Sequence, residues 1–73
     1  MTQEIKRLLV IKTGPDYIRI TDNGYITCAM DKASVFPENR CDDVRAHVKR
    51  LKLDGFEAVA VFKLIISEIP YVA

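Results

Sequence analysis

One histidine, two cysteines and three glycines are all that 73 residues offer of the types that build metal centres, nucleophile sites and phosphate loops. Structural zinc is held by paired spacings such as Cys-x2-Cys or His-x3-His. Cys28, Cys41 and His47 supply neither, and Cys41 and His47 stand at a spacing that separates them on a helix. Gly14, Gly24 and Gly55 are isolated, so no Gly-rich loop exists to cradle a phosphate; each fits a turn or a helix cap. Charge of one sign is also missing. Eleven Lys and Arg against ten Asp and Glu leave a formal net charge of +1, which provides no long-range field to steer nucleic acid or an anionic membrane toward the protein. Long apolar runs are absent too. Leu8-Leu9-Val10-Ile11 and Ala58-Val59-Ala60-Val61-Phe62 are too short for a signal segment or a membrane span. Two cysteines without a signal segment fit a reducing compartment in which both remain thiols. The expectation is a cytoplasmic protein that holds no metal and no cofactor.

What is present is enough apolar residue, 49% of the chain, for the core of one small domain over residues 1–73. A domain of this length buries only about 60% of the surface its unfolded chain exposes, so its stability is marginal. Domains this small often recruit a second subunit to compensate.

The most informative local feature is Asp22-Asn23-Gly24, set between two runs of alternating character, Tyr17-Ile18-Arg19-Ile20 and Tyr25-Ile26-Thr27-Cys28. Alternation marks strands, and Asn-Gly between them predicts a hairpin closed by a type I′ turn with positive φ at Asn23 and Gly24. Residues 4–12 read as an earlier strand with Ile5, Leu9 and Ile11 on one side and Leu8 and Val10 on the other. Gly14-Pro15-Asp16 is the turn after it. Residues 31–38 read as a connection in which Val35 and Phe36 plug one end of the core. Cys41, Val44, Val48 and Leu51 recur at helical spacing, predicting a helix over residues 40–54 with Asn39 as N-cap and Gly55 at its C-terminal stop. Residues 56–67 read as the last strand, with Phe56, Ala58, Ala60, Phe62, Leu64 and Ile66 on one face and Val59, Val61 and Ile65 on the other.

The element order is therefore β-β-β-α-β, an α+β fold. The helix is a crossover between the third and fourth strands, and a right-handed crossover joins parallel strands. A four-stranded mixed sheet in the order 3-2-1-4 follows, with the helix on one face and the last strand parallel to the first.

The run of Tyr17, Asp22-Asn23-Gly24, Tyr25-Ile26-Thr27, Lys32-Ala33, Phe36, the helix at 40–54 and Gly55 resembles a pattern of small phage and prophage proteins. The resemblance covers residues 17–58 and implies a bacterial or phage accessory protein. It implies no activity and brings no functional residues.

Among chemical candidates, His47 follows Asp43 by one helical turn, and a carboxylate-oriented imidazole can act as a general base. No nucleophile or acid accompanies the pair, and the expectation is a protein that is not an enzyme. Arg45, Lys49 and Lys52 form a basic helical stripe that could contact phosphates, while Arg50 points elsewhere. A nucleic-acid-binding accessory protein is the alternative reading. Asp42 and Asp43 early in the helix and basic residues late in it also complement the helix dipole without any ligand.

The sheet carries the stronger signal. One helix covers one face, and Leu8, Val10, Val59, Val61 and Ile65 are expected on the other as an interface. Burying roughly 300 to 400 Å² there contributes on the order of 8 to 10 kcal/mol per subunit at about 25 cal/mol per Å², before association costs. The expected partner is a second copy, in a homodimer, or another protein. The competing expectation is that the tail, residues 69–73, folds back over the patch.

Overall fold

The computed structural model describes residues 5–72; residue 4, read above as the start of the first strand, and Ala73 lie outside them. The chain forms β1 (Ile5–Thr13), β2 (Asp16–Thr21), β3 (Gly24–Cys28), β4 (Val35–Pro37), α1 (Cys41–Leu53) and β5 (Val59–Ser67). Short 3-10 turns at Met30–Lys32 and Glu38–Arg40 flank β4.

The fold is α+β. β1 is central: β5 pairs with all nine of its residues along one edge, and β2 and β4 share the other. The order expected for the four long strands, 3-2-1-4, holds with β5 as the fourth. Strand direction does not. Every pairing is antiparallel, so the expected mixed sheet, with its last strand parallel to the first, is corrected. The reason is β4, which the sequence pattern shows only as a connection. β4 and β5 both run antiparallel to β1 on either side of it and are parallel to one another. The crossover argument applies to this pair.

β2 pairs with β1 only at Lys12–Tyr17 and Thr13–Asp16. Beyond that point Ser34 fills the space between them. Its amide donates to the Ile18 carbonyl at 3.1 Å, and its Oγ accepts from the Ile20 amide at 2.9 Å.

The hairpin is present but its turn differs from expectation. Thr21 pairs with Gly24, so the loop residues are Asp22 and Asn23, and Gly24 alone of the three has positive φ, at 128°. The turn is therefore not type I′. Thr21 closes it instead: its Oγ1 donates to the Gly24 carbonyl and accepts from the Asn23 amide.

Leu9, Ile11, Ile18, Val44 and Leu51 form the buried core, and Tyr25, Phe36, Val48, Phe56 and Val59 pack around it. The helix begins one residue too late for Asn39 to cap it. Asn39 belongs to the preceding 3-10 turn, and Arg40 stands at the cap without a side-chain cap bond. Cys41, expected on the buried stripe, is the first residue of the helix and is exposed. The helix end follows expectation: the Phe56 amide reaches the Leu51 carbonyl and the Gly55 amide the Lys52 carbonyl, with Gly55 at φ 96°. This is a Schellman stop, and Phe56 packs against the core in its usual hydrophobic contact. The last strand then starts at Val59 rather than Phe56, after Ala58 at φ 52°.

Candidate interaction surface

Register decides which side chains of β5 meet which of β1. Val61 lies opposite Ile11, Lys63 opposite Leu9 and Ile65 opposite Arg7. Directly opposed residues share a face, so Val59, Val61, Lys63 and Ile65 stand on the helix side. Phe62 lies opposite Val10 and Leu64 opposite Leu8, which places the even-numbered residues of β5 on the open side. The five residues expected to form one interface are thus divided. Leu8 and Val10 are on the open face, and Val59, Val61 and Ile65 are on the helix face.

The open face is apolar in its own right. Leu8, Val10, Val35, Pro37, Phe62 and Leu64 are brought together by the registers of β4 and β5 on β1, and Ile66 extends the row. Val10 is fully buried there without help from the helix, between Val35 and Phe62. Lys12 lies along the same face, with its ammonium 4.7 Å from the Tyr17 ring and 5.0 Å from the Phe62 ring. Phe62 and Ile66 remain about half exposed.

The helix does not cover its own face completely. Val59 packs on the core, but Ile65 is 67% exposed and Val61 is exposed beside it. β5 pairs with β1 alone, so its outer edge meets no strand among the described residues. An apolar strand exposed on both faces and along one edge is the outstanding surface feature. The tail does not hide it: Ile69, Tyr71 and Val72 are themselves 72%, 89% and 91% exposed.

Lys63 is the one charge within β5, and its ammonium is 2.7 Å from Glu38 Oε2. The hydrogen bond and charge of Lys63, with a further contribution from Arg7, hold the Glu38 carboxyl below its ordinary value of 4.5.

The other candidates are placed differently from expectation. His47 does not meet Asp43. Its Nδ1 is 2.8 Å from the Tyr25 hydroxyl, with its ring between Tyr25 and Phe36, while Asp43 accepts from Arg40 Nε at 2.6 Å. Phe36, Pro37, Arg40, Asp43, Ala46 and His47 line an open hollow of about 440 Å³. Tyr25 is the partner that spacing along the helix does not reveal. Arg45, Lys49 and Lys52 are exposed, and Arg45 stands 3.9 Å from Asp42. Cys28 and Cys41 are free thiols. No cluster of metal-ligating side chains occurs among the described residues. No described helix is long and apolar enough to cross a membrane.

No family model, curated protein or solved structure matches this chain.

Proposed function

We propose that this chain is a non-enzymatic protein–protein interaction domain that self-associates through the surface carried by β5, as an accessory protein of a bacterial or prophage cytoplasm. The observation that carries the reading is the exposure of β5 itself: apolar residues on both faces, and an outer edge that meets no strand among the described residues. Water leaves apolar surface readily, and contiguous patches of this kind mark interfaces. An interface of standard size buries about 800 Å² per partner, roughly one-seventh of the 5738 Å² that this chain exposes. β5, apolar on both faces and meeting no strand along its outer edge among the described residues, offers the strip on which such an area can form. A second copy is the occupant favoured, because the strip demands a strand that is apolar on both faces, and β5 is one.

Sedimentation equilibrium across a concentration series tests the reading. The wild type should be dimeric at micromolar concentration. Ile65→Lys should shift it toward monomer, because an ammonium would be desolvated in the complex. At 67% exposure Ile65 contributes little to the fold of one protomer, so the circular dichroism of the variant should stay native. A wild type that remains monomeric up to roughly millimolar, worth less than about 4 kcal/mol of association, overturns the proposal.

A further inference from the structure

We infer that two copies join edge to edge, with β5 of each running antiparallel to β5 of the other about a twofold axis at Leu64. This rests on the self-association proposed above and specifies its geometry.

The inner edge of β5 is satisfied along its whole length by β1, while its outer amides and carbonyls meet no strand among the described residues. Such an edge is a template for a further strand. An antiparallel twofold keeps each face continuous across the junction. The incoming strand must therefore be apolar on the helix side, to lie beside Val61 and Ile65, and apolar on the open side, to lie beside Phe62, Leu64 and Ile66. β5 meets both conditions. β3, the strand at the far end of the sheet, is shorter and carries Thr27 and Gly24.

The register follows from charge, length and side-chain size. Faces match only when the axis passes through a residue, because directly opposed residues share a face. An axis at Lys63 would set two ammonium groups directly opposite one another, and like charges so placed destabilise a sheet. An axis at Ile65 would overlap only residues 63–67 of each strand. An axis at Phe62 would overlap residues 59–65, as many as an axis at Leu64, but it would set Leu64 against the small Ala60 and leave the half-exposed Ile66 outside the junction. An axis at Leu64 overlaps residues 61–67. It sets Leu64 against Leu64, Phe62 against Ile66 and Lys63 against Ile65. In that register Lys63 keeps its own counter-charge, since Glu38 of the same protomer holds it at 2.7 Å. Lys63 thereby disfavours the competing axis without placing an unpaired charge in the junction.

Single-cysteine variants read the register directly. In a chain carrying Cys28→Ser and Cys41→Ser, Leu64→Cys should form a disulfide dimer under mild oxidation. Opposed Cα atoms lie about 4.5 to 5.5 Å apart, within the roughly 4.4 to 6.8 Å that a disulfide spans. Phe62→Cys mixed with Ile66→Cys should give the mixed dimer, identifiable by mass. Phe62→Cys alone should give no more than the denatured control, because its two copies would stand about 13 Å apart along the strands. Phe62 and Ile66 are half exposed, so these variants should fold even if Leu64→Cys does not. A dimer in sedimentation that cross-links through Lys63→Cys, through Phe62→Cys alone, or through none of these positions overturns the Leu64 axis and leaves self-association standing. A wild type with no dimer at all overturns the parent proposal and this one with it.

Discussion

Single residues of this fold carry backbone strain and charge in places that can be tested one at a time. Gly24 sits at φ 128°, a conformation that side chains resist even though the space around its Cα is open. Gly24→Ala should lower stability by about 1 to 3 kcal/mol. Ala58 is the reverse case, a residue with a Cβ at φ 52°. Ala58→Gly should relieve about 1 to 2 kcal/mol of strain against about 0.5 to 1 kcal/mol of added chain entropy, for a small net gain. Urea midpoints at one fixed protein concentration check both signs. Glu38 gives a pH signature. Its carboxyl is held low by Lys63 first and Arg7 second, so the stability it contributes is present above its ordinary value of 4.5 and is lost as pH falls through the lower folded value. Glu38→Gln should therefore weaken the protein above pH 4.5 and converge with wild type in more acidic solution. Unfolding curves over a pH series should show that convergence; a constant gap would mean the ion pair with Lys63 has no part in stability.

At the scale of elements, what was legible in the sequence was local. Alternation within Tyr17-Ile18-Arg19-Ile20 and the short apolar run Leu8-Leu9-Val10-Ile11 gave the strands, and the spacing of Val44, Val48 and Leu51 gave the buried stripe of the helix. The phase between strands was not legible. Each strand of β1 and β5 alternates correctly by itself, but which row of β5 faces the helix depends on register, and a slip of one residue exchanges the faces. That is why Leu8 and Val10 parted from Val59, Val61 and Ile65. Three residues are too few to show a period, so β4 passed for a connection and the strand directions were misread with it. His47 and Tyr25 meet only because the hairpin packs against the helix, a contact between residues 22 apart that no local pattern encodes. Ser34 is a similar device, bridging β2 to the start of β4. Ser34→Ala removes the acceptor of the Ile20 amide and should cost about 1 kcal/mol, with faster hydrogen exchange at Ile20. Unchanged exchange there would mean that the Ser34 bridge does not hold the two strands together.

As a whole the molecule is elongated, 46 × 25 × 23 Å, with a small core under one helix and a nine-residue ladder of β1 and β5. A domain of this size has little stability to spare. Association that binds the folded chain alone raises apparent stability with concentration, so the melting temperature should climb as protein is concentrated, and Ile65→Lys should flatten that climb. The central claim is that a second copy covers the outer edge of β5. Residue-resolved amide hydrogen exchange at two protein concentrations addresses it most directly. Alternate amides of an antiparallel strand point to opposite edges. Every second amide within residues 61–67, those turned away from β1, should exchange quickly in dilute protein and become protected in concentrated protein, while their neighbours bonded to β1 stay protected in both. Outward amides that exchange at the same fast rate at both concentrations would contradict the account.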